Sequence, residues 1–174
     1  MEKEDKDLAL FLVGYTEALT HSLYQSGKEV GLNQFDKASR ESIFNDCFSF
    51  TGISGSIIDK AIAKYEDYSW KQAGWDFWET RNSTGLGFED KVDFEESKIW
   101  KNLFSRAKNK PVEITEDNGV FKYTSNEYSF QNPEVIRAIQ EKRALDAIIP
   151  KTYEGVKEMV ESEIPVVNRP RMNM

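Results

Sequence analysis

Four carboxylates, Asp76, Glu79, Glu89 and Asp90, fall between positions 76 and 90, and two acids brought side by side can divide proton transfer between them or hold a hard cation. Asp76 with Asp90 is the pair that a metal-dependent carboxylate enzyme would use. The same region interleaves rings with cations: Trp70, Lys71, Trp75, Trp78, Arg81 and Lys91. Single-stranded nucleic acid stacks on such a surface at about 1 to 3 kcal/mol per base. Each set also has a plainer explanation, since acids are ordinary on an exposed strand and tryptophans ordinarily pack helices onto a sheet. Nucleophile-and-base chemistry finds less support. The only histidine, His21, and the only cysteine, Cys47, belong to different helices, on faces of opposite exposure. Burial among Ile43, Phe44 and Phe48 raises a thiol's pKa and leaves it inert. Neither residue has the companions that a metal site or a disulfide needs, and no cofactor is implied. Thr51-Gly-Ile-Ser-Gly-Ser56 lacks the lysine and glycine spacing of a phosphate loop and reads as a connection between helices, with Ser56 as cap.

The stretch that must position these groups runs from Trp75 to Asp90. Alternation puts Trp75, Phe77 and Glu79 on one face of a strand and Asp76, Trp78 and Thr80 on the other. Asn82-Ser-Thr-Gly85 supplies turn chemistry, and Leu86 to Asp90 is the expected returning strand. Gly87 would leave room there for a bulge or for the ring of Trp78. Arg81 and Asp90 would face each other across this hairpin, a pairing worth at most about 1 kcal/mol if exposed.

At these residues the chain resembles a family of small, functionally uncharacterised bacteriophage proteins whose hallmark reads approximately Gly-His-Asp-Phe-Trp-Leu-Thr-Arg-Asn-Gly-His-Gly-Ala-Gly-Phe-Trp-Asp-Arg. Asp76, Phe77, Trp78, Thr80, Arg81, Asn82, Gly85, Gly87, Phe88 and Asp90 match it position for position. The family's two histidines fall on Trp75 and Thr84, and its second tryptophan on Glu89, so chemistry done by a histidine of that motif is not open to this chain. The resemblance extends in order over about residues 35 to 125, through a helix and a short hairpin with an acidic turn. It implies a phage origin and a role during infection of a bacterial cell.

Net charge is -7, which argues against sequence-independent attraction to phosphate backbones. No run approaches the roughly 20 apolar residues of a membrane-spanning helix. Met1 to Asp7 is rich in both charge signs, and Leu8 to Val13 is too short for a secretory signal, so the host cell cytoplasm is the expected location. Along the chain, Leu8, Phe11, Leu12, Tyr15, Leu19 and Leu23 define a first helix over residues 5 to 25. Asp36 caps a second, and Ile58, Ala61, Ile62 and Tyr65 give a third its apolar stripe. Asp93 is the expected cap of a helix using Phe94, Ile99, Trp100, Leu103 and Phe104. The cations Lys98, Lys101, Arg106, Lys108 and Lys110 either favour that helix's C-terminal dipole or form one basic face. Residues 112–115 and 120–123 alternate with period two about Asn118-Gly119, a hairpin signal. Asn132-Pro133 opens a later helix, and the end of the chain, with Val166, Val167, Arg169 and Arg171, reads as an arm suited to docking.

These readings give an α+β protein: N-terminal helices on a small antiparallel sheet of two hairpins separated by a helix. Residues 1–125 would form the core domain and 126–174 a helical extension with an arm. The expected function is non-enzymatic binding of a protein partner from host or phage, such as a component of a host defence system. Trp78, Arg81, Asn82, Asp76 and Asp90 are the candidate contact groups at the hairpin, and Arg169 and Arg171 on the arm. The two alternatives are a single-strand nucleic-acid binder and the carboxylate enzyme.

Overall fold

In helix α1, Lys3–Gln25, the stripe expected from Leu8 to Leu19 widens until residues 11–16 are all buried. The cause is contact on more than one side, chiefly with α3, Trp70–Asn82, and also with α2, Lys37–Lys64. The computed structural model from which these elements are taken describes residues 3–125. α1 and α3 touch backbone to backbone. A Cβ placed on Gly14 would lie 1.8 Å from the Lys71 carbonyl oxygen, and one on Gly74 would lie 1.9 Å from that of Phe11, so only glycine permits this approach.

Asp36 caps α2 as its type foretells, accepting a hydrogen bond from the Ser39 amide. The helix then runs through Thr51 to Ser56 without the expected break. Two glycines in a helix interior cost about 1 kcal/mol each. The unbroken stripe of Cys47, Phe50, Ser54, Ile58 and Ala61, all fully buried, outweighs that cost.

The central correction concerns residues 75–90, which form no hairpin. Residues 75–82 belong to α3, capped by Ser69, whose hydroxyl accepts from the Gln72 amide. Ser83 ends the helix in the left-handed conformation (φ 52°), and residues 88–90 make a single 3-10 turn. Gly87 makes room for Thr80 and not for Trp78: a Cβ there would sit 2.2 Å from Thr80 Oγ1. α4, Lys98–Ala107, is capped by Ser97, not Asp93. Asp93 instead adopts a positive φ of 64°, and its carbonyl oxygen accepts from the Ser97 amide at 2.9 Å. Tyr65 stacks on Trp100 and Tyr68 meets it edge-on, joining α4 to the end of α2 and the segment after it.

The hairpin about Asn118-Gly119 is present. Strands β1, Val112–Asp117, and β2, Val120–Ser125, pair antiparallel from Val112↔Ser125 to Asp117↔Val120. Both turn residues have positive φ (53° and 79°), the geometry that matches strand twist. Phe121 and Tyr123 face the core. The outer edge of β2 is closed by the start of α2: the Asp36 amide donates to the Phe121 carbonyl, and the Tyr123 amide to Ser39 Oγ. The class is therefore α+β, with four helices against a single two-stranded sheet among the described residues. The expected extension, including Asn132-Pro133, Arg169 and Arg171, lies outside the described residues.

Candidate functional site

The motif that sequence reading placed on a hairpin edge is turned into the protein. Asp76, Trp78 and Arg81 are buried, Asn82 is half-buried, and only Asp90 is exposed. The contact groups nominated within the motif thus do not make a surface. The reason is the helix: α3 lies between α1, the Phe50 segment of α2, the loop that follows α3, and β2, so almost its whole circumference is covered from Ala73 to Arg81.

Arg81 is the centre of the arrangement. One guanidinium nitrogen, Nη1, donates to Asp46 Oδ2 at 2.8 Å, to Tyr15 Oη at 2.8 Å and to Tyr123 Oη at 3.0 Å. Nε donates to the Lys110 carbonyl at 2.8 Å, and Nη2 to Ser125 Oγ at 3.2 Å. Tyr123 Oη donates to Asp46 Oδ2 at 2.5 Å, and the two tyrosine hydroxyls lie 2.6 Å apart. Asp46 comes from α2, Tyr15 from α1, Tyr123 and Ser125 from β2, so a single side chain on α3 joins three other elements. Burial pushes both tyrosine hydroxyls well above their ordinary range. For Arg81, burial pulls the pKa down, but Tyr15, Tyr123 and Asp46 outweigh it and hold the group charged. A fully desolvated guanidinium needs such acceptors on every side.

The other motif residues have equally specific internal partners. Asp76 accepts from Tyr68 Oη and Gln72 Nε2, each at 2.9 Å, and from Lys91 Nζ at 2.8 Å. Burial raises its carboxyl above the usual value, against the opposing pull of Lys91. Phe77 stacks on Phe50 with ring centres 4.0 Å apart. Trp78 Nε1 donates to Ser22 Oγ at 2.8 Å. Asn82 donates to the Trp78 carbonyl and accepts from the Val112 amide, both within 2.9 Å, which ties the end of α3 to the start of β1.

Thr80 organises the loop after α3, accepting from the Phe88 amide and donating to Glu89 Oε2, both at 2.8 Å. Glu79 accepts from Thr84 Oγ1 at 2.6 Å, and Gly85 lies against its carboxylate. Asp90 accepts from the Gly87 amide. Phe88 is fully buried against Phe50. Residues 83–97 are thereby pinned at several points, yet they present Leu86 at 74% exposure and Val92 at 89%, the two most exposed large apolar side chains among the described residues.

Among the described residues this geometry bears on the chemistries raised by the sequence. The four carboxylates do not converge: each is committed to a different partner, and no group of three His, Cys, Asp or Glu among the described residues is placed to hold a metal ion. The Arg81 and Asp90 pairing does not form, because Arg81 is held by Asp46. The aromatic and basic set does not form a stacking platform. Trp78 and Arg81 are internal, Lys71 pairs with Glu17 at 2.9 Å, and Lys91 pairs with Asp76. On α4, Lys101 pairs with Glu95, and Arg106 donates to the Ile53 carbonyl, so two of its cations leave any common face. Cys47 is fully buried with its thiol pKa raised by burial, and His21 is exposed against Trp75, as their positions foretold.

Sequence reading missed Asp46, Tyr15 and Tyr123 as partners of the motif. One signal was available for Asp46: it lies within the apolar run from Ile43 to Phe50, where a carboxylate requires a buried cation. No described helix is long and apolar enough to cross a membrane. Comparison with protein-family models, with curated proteins and with solved structures finds no match to the chain.

Proposed function

We propose that this chain is a non-enzymatic binding protein whose partner is another protein, and that the motif serves by building a rigid presenting loop rather than by touching the partner. The observation that carries this reading is the loop of residues 83–97. Thr80, Glu79 and the buried Phe88 fix its backbone, while Leu86 and Val92 are left almost wholly in water. Isolated exposed apolar residues are common, but a pinned loop loses little conformational entropy when a partner covers it. The resemblance of the motif to phage proteins supports placing the partner in an infected bacterium, where a component of a host defence system is the finer form of the proposal.

The test separates surface from fold. Trp78 and Arg81 are buried, so replacing either would change the fold's stability together with any contact, and the informative variant is Leu86→Ser with Val92→Ser, which touches exposed side chains only. Its melting temperature should match wild type to within a few degrees, since surface substitutions change stability by about 0.5 kcal/mol or less. Capture from infected-cell lysate should enrich a protein on wild type and lose it on the double variant. Equal recovery of that protein by both forms would reject the loop as the contact.

A further inference from the structure

The sheet has two edges, and they are treated differently. In a two-residue hairpin the pair flanking the turn, Asp117↔Val120, exchanges ladder hydrogen bonds, and the pairs then alternate. Val112, Ile114 and Glu116 on β1, and Phe121, Tyr123 and Ser125 on β2, therefore point their amides and carbonyls outward. On β2 the outward carbonyl of Phe121 accepts from the Asp36 amide, and the outward amide of Tyr123 donates to Ser39 Oγ. On β1 the Val112 amide is taken by Asn82. Among the described residues nothing bonds the outward amides and carbonyls of Ile114 and Glu116. Val112 and Ile114 are also only half-buried, so the inner apolar face of the sheet stops short at this edge.

We propose that the β1 edge is a strand-addition site whose occupant is an extended segment of another protein that alternates apolar with basic residues. The main-chain bonds would come from Ile114 and Glu116. Apolar residues of the added strand would continue the inner face past Val112 and Ile114, and basic ones would lie on the outer face beside Glu113 and Asp117. Asp117 already has Lys122 at 3.8 Å, but that pair is exposed and weak, leaving the acid available. A second copy of β1 fits poorly. Two-fold registers that bring outward groups together centre on residues 113, 114, 115 or 116; those at 113 and 116 set a glutamate against itself, and that at 115 sets Glu113 against Asp117. Only the register at Ile114 avoids direct opposition of acids, and it still brings three carboxylates from each copy onto neighbouring strands. This site is separate from the Leu86 and Val92 loop and does not depend on it.

The test uses the full chain and a blocked hexapeptide alternating valine with lysine, followed by amide hydrogen exchange and NMR titration. In the free protein the Ile114 and Glu116 amides should exchange far faster than the ladder amides of Thr115 and Lys122, and saturating peptide should slow them by at least about tenfold. Glu116→Pro removes one outward donor without touching the ladder, and also the carboxylate that accepts from Lys28 at 2.7 Å, so Glu116→Gln is its control. Relative to Glu116→Gln it should weaken the peptide by about tenfold, the value of one hydrogen bond at this scale. A valine and glutamate peptide should bind more weakly still, and Leu86→Ser with Val92→Ser should leave binding unchanged. Protection of Ile114 and Glu116 in the free monomer would overturn the proposal by showing the edge already covered by the chain itself. Concentration-dependent dimerisation that protects them would assign the edge to a second copy, and undiminished peptide binding by a folded Glu116→Pro would overturn it as well.

Discussion

Arg81→Met is the perturbation that tests the clamp most directly. It preserves much of the side-chain volume and the helix propensity of the position while deleting five hydrogen bonds to described partners, one of them an ion pair at 2.8 Å to Asp46. Among the described residues, the Asp46 carboxylate would remain buried with only the Tyr123 hydroxyl to solvate it. Breaking a buried pair from one side costs about 3 to 5 kcal/mol. Against a total of roughly 5 to 15 kcal/mol for a protein of ordinary stability, that is a large fraction. At about 2 to 4 °C per kcal/mol for a chain of this length, the melting temperature should fall by roughly 6 to 20 °C. Asp46→Leu with Arg81→Met removes both charges together and should recover most of the loss, because Tyr15 and Tyr123 can still bond each other at 2.6 Å. Urea unfolding followed by tryptophan fluorescence, run as a double-mutant cycle, should give a coupling of about 3 kcal/mol or more, since each single substitution strands a buried charge and the double strands none. If Arg81→Met costs less than about 1 kcal/mol, or the two substitutions simply add, the cluster is not what holds α1, α2, α3 and the sheet together.

Two glycine substitutions should act in opposite directions, as read by thermal melting. Gly74→Ala gains up to about 1 kcal/mol of helix propensity, but its methyl would lie 1.9 Å from the Phe11 carbonyl oxygen, and the overpacking should leave a net loss of about 2 kcal/mol. Gly55→Ala places its methyl 3.6 Å from the Trp70 ring, an ordinary contact, so it should stabilise α2 by up to about 1 kcal/mol. Asp76→Asn addresses pH. Burial raises the Asp76 carboxyl above 3.8 in the folded state, so in the window above that value the folded form holds more of the proton than the unfolded form does. Wild-type stability derived from this group is therefore present at lower pH and lost as pH rises, and the stability of Asp76→Asn relative to wild type should improve as pH is raised above the ordinary carboxylate value, measured by denaturant midpoints at each pH. Trp78→Phe should cost about 1 kcal/mol through the bond to Ser22, and Ser22→Ala in the same background should add little.

The parts that the sequence disclosed are those with one wet side. α1, the Asp36 cap and the hairpin about Asn118-Gly119 each carry a local signal: a stripe, a capping side chain, or a turn whose conformation few residues tolerate. α3 carries none of the first kind, because a helix covered on every side has no polar face and so no period of 3.6 to read. Its polar residues are turned inward to satisfy one another, and what remains visible is an accidental alternation from Trp75 to Thr80 that imitates a strand. One local mark did survive, Ser69 with Gln72 three positions on, the spacing of a capping box, and it outranks alternation over six residues because it names a helix start directly.

The candidate site was misjudged by the same physics. A run rich in Trp, Arg, Asn and Asp between glycines has the composition of a recognition edge, yet it is also what a buried polar joint must contain. The discriminating feature lay elsewhere in the chain. Asp46 within the apolar face of α2, and Tyr15 within that of α1, are polar groups that can be buried only if a shared donor reaches both, and Arg81 is the donor the chain supplies. The specificity of the motif therefore marks a folding constraint that spans four elements. Among the described residues, what this joint holds in place includes the loop bearing Leu86 and Val92 and the edge of β1, the two surfaces on which the proposals above rest.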